Sequence, residues 1–154
     1  MKRATHSAGR SKPLPWPEES VYLELLKTAD ILSRNLSGLL KTEDLSSTQY
    51  NVLRILRGAP EGLPCGEIGN RMITRDPDIT RLLDRLAKRG LIARRRETKD
   101  RRVVLTRITS EGLELLARLD EPMQQIHRKQ LGDLGRNRLK ALAELLEAMR
   151  TGVT

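Results

Sequence analysis

The sequence predicts a mainly α-helical chain with one small β-hairpin. Two observations lead there. Apolar residues recur at three- and four-residue steps over most of the 154 residues, the period of helices with one buried face. Between residues 91 and 109 that period gives way to two short runs, the second rich in β-branched residues, joined by the charged turn Glu97-Thr98-Lys99-Asp100-Arg101. Such a pattern reads as a pair of strands.

Residues 1–17 hold Lys2, Arg3, Arg10 and Lys12, then Pro13, Pro15 and Pro17, with neither period. They are expected to form a flexible basic tail. From Glu18 to about Lys41, Val21, Leu25, Ala29, Leu32, Leu36 and Leu39 mark a long helix, its stripe widened by Ile31 and Leu40. Ser46 or Ser47 can cap a second helix, in which Tyr50 and Leu53 keep the spacing until Gly58 and Pro60 stop it. A loop from Gly58 to Pro64 leads to a two-turn helix, Cys65 to Met72, with Cys65, Ile68, Gly69 and Met72 on one face.

Asp76-Pro77 reads as the next helix start, because Asp can accept orphan backbone N–H groups and Pro loses nothing at the first helical position. In that helix, residues 76–89, Ile79, Leu82, Leu83, Leu86 and Ala87 form one stripe, and Gly90 stands where a left-handed C-terminal cap is wanted. The strands follow, 91–96 and 102–109. Leu113, Leu116, Ala117, Met123 and Ile126 then resume the helical period, with Pro122 expected to kink or divide the helix. A last helix from about Gly135 carries Leu139, Leu142, Leu146 and Met149, a spacing that resembles a coiled-coil seam.

The formal charge of +9 is not spread evenly. From Arg71 to Arg102 there are twelve Lys and Arg against five Asp and Glu, so this one segment holds +7. An anionic partner is implied. The only rings are Trp16, Tyr22 and Tyr50, none of them in the basic segment. Single-stranded nucleic acid is usually held by aromatic stacking, whereas a duplex is held through phosphates and read at groove edges, so double-stranded DNA is the expected partner.

One cysteine, Cys65, allows neither an internal disulfide nor a multi-thiolate zinc site. With no run of 18 apolar residues and no signal-peptide core, the expected compartment is the cytoplasm, with no membrane contact. No nucleophile stands beside a positioned base, and Gly66-Glu67-Ile68-Gly69 is no phosphate loop. Neither an enzyme nor a cofactor is expected. His127 lacks a second His or Cys to complete a metal site.

Residues 46–109 thus give helix, short helix, turn, basic-faced helix and basic hairpin, the order of a winged helix-turn-helix. Arg75, Asp78, Thr80, Arg81 and Arg85 occupy the polar side of helix 76–89, which can enter a major groove roughly 12 Å wide. Lys99, Arg101 and Arg102 at the hairpin tip are long enough for a minor groove. Asp100 is expected to orient a neighbouring Arg by a charge-assisted hydrogen bond.

The run Asp76-Pro77-Asp78-Ile79-Thr80-Arg81-Leu82-Leu83-Asp84-Arg85-Leu86, then Lys88-Arg89-Gly90-Leu91-Ile92, Asp100-Arg101-Arg102 and Thr109-x-Glu111-Gly112, resembles the multiple-antibiotic-resistance regulator (MarR) family over roughly residues 20–150. The resemblance implies a homodimer built by helices in 18–45 and 110–154, helix 76–89 in the major groove and the wing in the minor groove. It also implies a small-molecule effector, a phenolic or lipophilic acid, in the crevice between the dimerisation and DNA-binding parts. Ile73 departs from the pattern, standing where many members have Gly, so its turn must avoid positive φ or accept strain.

The function expected is a sequence-specific, ligand-responsive repressor. Two other readings stand beside it: a sequence-indifferent architectural DNA binder, and a repressor that senses oxidants through Cys65. The bland reading of Cys65 is a small apolar residue on a helix face. Trp16 and Tyr22 either line an effector pocket or anchor the N-terminus.

Overall fold

A computed structural model describes residues 16–97, 100 and 102–153. The chain divides into two units, residues 1–34 and 35–154. Helix α1, Pro17–Lys41, opens on Pro17 with Glu18 and Glu19 in its first turn. A proline is pre-set for the first helical position, and acids there complement the helix dipole. In the first unit Val21, Tyr22, Leu26 and Ile31 are exposed.

The second unit begins with the end of α1, where Leu40 is buried. Asp44 closes that end at φ 52°, a left-handed turn that Asp tolerates better than most residues. Helix α2, Ser47–Arg57, is capped by Ser46. The Gln49 N–H donates to Ser46 Oγ at 3.1 Å, and the Ser46 N–H donates back to Gln49 Oε1 at 2.9 Å. This reciprocal cap satisfies two orphan donors. Val52, Leu53 and Leu56 of α2 are buried.

Strand β1, Leu63–Pro64, lies inside the segment expected to be a loop. A two-residue strand has no period to read. It pairs antiparallel with β3, Val104–Ile108, which pairs in turn with β2, Ile92–Arg96, giving the order β1-β3-β2. Helix α3, Cys65–Arg71, buries Ile68, with Met72 buried just beyond.

Helix α4, Ile79–Lys88, starts two residues later than Asp76-Pro77 suggests. Asp78, not Asp76, is the cap, accepting from the Arg81 N–H at 3.3 Å. Asp76 instead accepts from the Asp78 N–H at 2.8 Å, a local turn that competes with helix formation. Leu82, Leu83 and Leu86 are buried, each stabilising the fold by about 1.5–3 kcal/mol. At the other end Gly90 has φ +71°, the Gly90 N–H donates to the Ala87 carbonyl and the Leu91 N–H to the Leu86 carbonyl. That pair of bonds is a Schellman cap.

Helix α5, Ser110–Leu131, runs unbroken through Pro122. The missing N–H costs one bond in a 22-residue helix, and the buried face holds the rest. That face is Gly112, Leu115, Leu116, Leu119 and Met123; Leu113 and Ala117, expected to be inward, are exposed. A single 3-10 turn, Gly132–Leu134, leads to α6, Gly135–Thr151, which buries no residue.

Thr109 ties these parts together. Its N–H donates to the Leu91 carbonyl, its hydroxyl donates to the Gly90 carbonyl at 2.6 Å, and the same oxygen accepts from the Gly112 N–H at 3.2 Å. A Cβ on Gly112 would run into the Leu91 carbonyl oxygen and the Ile108 side chain. Gly112→Ala should therefore destabilise by roughly 1–3 kcal/mol through overpacking, lowering the melting temperature by several degrees. An unchanged melting curve would contradict the close approach.

Candidate nucleic-acid interface

Burying Leu82, Leu83 and Leu86 turns Thr80, Arg81, Asp84, Arg85 and Lys88 of α4 outward. Arg75, in the turn before the helix, is exposed too. Neither Arg75, Arg85 nor Lys88 has an ion pair among the described residues. Arg81 Nε lies 3.1 Å from Asp78 Oδ2, so the cap carboxylate also faces a guanidinium. That contact is well exposed and weak in energy. The α3–α4 turn is held by Asn51, whose Oδ1 accepts from the Ile73 N–H at 2.9 Å. Ile73 avoids positive φ, since Asp44 is the only non-glycine residue there among those described.

Beside α4 a concave flank of about 410 Å³ is lined by Ser46, Gln49, Asp78, Arg81 and Arg85. Further along the helix a second hollow of about 610 Å³ carries Lys41, Arg85, Lys88 and Arg89. The first hollow also takes in Asp76 and so sets two carboxylates against two guanidiniums, whereas the second, which includes Asp44, sets four cations against one carboxylate, so the excess positive charge lies toward the C-terminal end of α4.

The wing extends from β2 and β3. The Glu97 N–H donates to the Val103 carbonyl, and the Val103 N–H to the Asp100 carbonyl. Asp100 Oδ1 accepts from the Arg102 backbone N–H at 3.0 Å and lies 3.6 Å from Arg102 Nε. The Arg102 side chain is 95% exposed. Lys99 and Arg101 lie outside the described residues.

Several contacts escaped the sequence reading. Arg94 of β2 reaches α4, donating from one terminal nitrogen to Asp84 Oδ1 at 2.7 Å and to the Thr80 carbonyl at 3.4 Å. Its Nε is buried with no hydrogen-bond partner among the described residues, an arrangement that typically costs about 1–3 kcal/mol. A signal was present, because Arg94 stands two residues from buried Ile92 and so shares its face of the strand. Arg89, at the end of α4, donates to the carbonyls of Glu43 and Asp44. Arg118 of α5 makes two bonds to the Glu43 carboxylate, at 3.1 and 2.9 Å. Nothing in the sequence spacing pairs residues so far apart.

Cys65 is half-buried against the core. His127 is exposed on α5. Among the described residues no group of His, Cys, Asp and Glu could hold a metal ion, and no helix is long and apolar enough to cross a membrane.

Comparison with known proteins agrees with this geometry. Residues 45–104 match the family model described as "MarR family". A MarR transcription factor from Planctomyces limnophilus is 39% identical in sequence; the match covers 90% of this chain and 99% of that one, with a TM-score of 0.66. The chain belongs to the MarR family. It is a DNA-binding transcriptional regulator and not an enzyme. Among curated relatives, the HTH-type transcriptional regulator FarR of Neisseria gonorrhoeae is 27% identical over 128 residues, 82% of this chain and 86% of that protein. The PcaV regulator of Streptomyces coelicolor, solved in complex with its natural ligand, is 28% identical over 82% of this chain and 91% of its own, with a TM-score of 0.69.

The Arg118 hydrogen bonds, aided by the Arg118 and Arg89 charges, hold the Glu43 carboxyl below its ordinary value of 4.5, against a smaller opposing effect of burial. A carboxyl held low in the folded state stabilises fully above its unfolded value, and that contribution disappears as pH falls through the folded value. The stability gap between the wild type and Glu43→Gln, read from urea midpoints, should therefore close as pH is lowered from about 7 to about 3. A gap independent of pH would contradict the assignment.

Proposed function

We propose that this MarR-family chain is a cytoplasmic, homodimeric repressor that reads a pseudo-palindromic operator and is displaced by a small phenolic or lipophilic acid. The observation that carries the DNA reading is the set of exposed cations at α4: Arg75 in the turn before it, Arg81 and Arg85 on its outward face, and Arg85, Lys88 and Arg89 around the hollow at its C-terminal end. In this reading α4 enters the major groove, with Thr80 and Arg81 at base edges, Arg75 and Arg85 on phosphate, and Asp78 orienting Arg81. Lys99, Arg101 and Arg102 reach the minor groove, with Asp100 holding the wing turn.

The dimer reading rests on apolar faces that the second unit leaves open on α6. Leu142, Leu145 and Met149 recur at steps of three and four and are 39%, 64% and 44% exposed. A seam of that kind is buried between subunits more economically than left in water. Effector control is supported by the PcaV relative, which was solved with its natural ligand. Cys65 has the surroundings of a small apolar core residue, which favours the bland reading of that thiol.

Fluorescence anisotropy on DNA from upstream of the chain's own gene, beside a scrambled duplex at two salt concentrations, tests the DNA reading. Preference of about 10³-fold or more for the native sequence is expected. Equal affinities, lost in parallel as salt rises, would favour the architectural alternative. Arg81→Ala should cost roughly 1–3 kcal/mol and relax discrimination at one base position, whereas Lys99→Ala should weaken all sequences alike. Equal losses on both duplexes for both variants would refute that division of labour. Release of the preferred duplex by an acid from a broad phenolic and lipophilic panel is expected; no release by any of them counts against ligand control.

Leu145→Glu should shift the purified protein from dimer to monomer in analytical ultracentrifugation. An intact dimer would remove α6 from the interface.

A further inference from the structure

The outward face of α4 carries two carboxylates, Asp78 and Asp84, on a surface whose partner is a polyanion. Asp78 is matched within the helix by Arg81. Asp84 has no such match on its own helix: its ion partner is Arg94, which arrives from β2 at 2.7 Å. Asp84 remains 52% exposed while the Arg94 side chain is 29% exposed, so the carboxylate stands at the surface and the guanidinium behind it.

The rest of Arg94 shows how firmly it is placed. It lies opposite buried Thr106 in the β2–β3 register, and it also touches the Thr80 carbonyl one turn before Asp84. Its Nε is buried with no hydrogen-bond partner among the described residues, which a mobile surface arginine would avoid by turning toward water. The side chain therefore spans from the root of the wing to the reading helix. The wing turn begins just past Arg96, two residues beyond this strut.

We propose that Arg94 is a positioning residue for DNA binding that cancels the Asp84 charge where α4 meets duplex phosphate and fixes the wing root on α4. Its own guanidinium touches no DNA. This inference rests on the DNA-binding role of α4, and it assigns a part to two residues outside the basic set that does the contacting. With Arg94 gone, the Asp84 carboxylate faces the phosphates unmatched and repels them.

The test uses a random-sequence 30-base-pair duplex at low salt, since charge masking acts on any duplex, and compares wild type, Arg94→Ala, Asp84→Asn and the double variant. Arg94→Ala should bind about tenfold more weakly, with the slope of log K against log salt shallower by about one phosphate contact. Adding Asp84→Asn to Arg94→Ala should restore affinity to within about threefold of wild type, because the repelling charge is gone. Asp84→Asn alone should bind at least as tightly as wild type.

Melting curves identify variants that fold. Should Arg94→Ala not fold, Arg94→Met keeps the aliphatic stem and is paired with Asp84→Asn in the same way. An Arg94 variant that folds, binds weakly and is not rescued by Asp84→Asn would overturn the proposal, leaving Arg94 a packing residue. So would an Arg94 variant that binds as wild type does. Absence of binding by wild type itself would instead strike the interface on which the inference rests.

Discussion

The inward packing of Leu82, Leu83 and Leu86 is the constraint from which the surface of this molecule follows, because a helix that buries one stripe has no freedom in where its other side points. Rotating α4 by one residue, about 100°, would expose leucine and bury arginine, and an unpaired buried charge is too costly to tolerate. Thr80, Arg81, Asp84, Arg85 and Lys88 are thus presented together by hydrophobic burial rather than by attraction to one another. The caps reinforce the same choice. Asp78 fixes where the helix begins and the Gly90 turn fixes where it ends, so the charged face has a set length as well as a set direction.

Around that helix the chain is fastened by long-range polar contacts. Thr109 binds the start of α5 to the Gly90-Leu91 turn, Arg89 binds the end of α4 to the α1–α2 connection, and Arg118 reaches the same connection from α5. Each joins α4, directly or in one step, to α1 or α5, helices proposed to build the dimer. A ligand that preferred one arrangement of those helices could alter the reading surface through these contacts, provided that its affinity differs between the two states.

The helices were legible wherever a stripe and a stop signal coincided. The leucines of α4 with Gly90, and the Ser46 cap of α2, sit where their spacing puts them. The start of α4 is ambiguous in the sequence because Asp76 and Asp78 can both cap a helix, and only the bond that Asp78 accepts from the Arg81 N–H separates them. In α5 Leu116 and Met123 are buried as their spacing predicts, but Leu113 and Ala117 face outward, because Leu113 and Leu115 offer two competing stripes and the buried one is chosen by Gly112 lying against Leu91 and Ile108. For the site, exposed cations announce themselves in a charge run, whereas Arg94 looks like three consecutive arginines until the strand's alternation is applied. Pairings such as Arg118 with Glu43 depend on tertiary neighbours 75 positions apart, and no local rule reaches them.

In the proposed complex two copies of α4 and its wing sit on one duplex in fixed register. Hydroxyl-radical footprinting of the wild-type protein on its preferred upstream DNA tests this most directly. Two equivalent protected segments are expected, their centres about one helical turn apart, each flanked by minor-groove protection from a wing. A single continuous or sequence-independent protection pattern would contradict it.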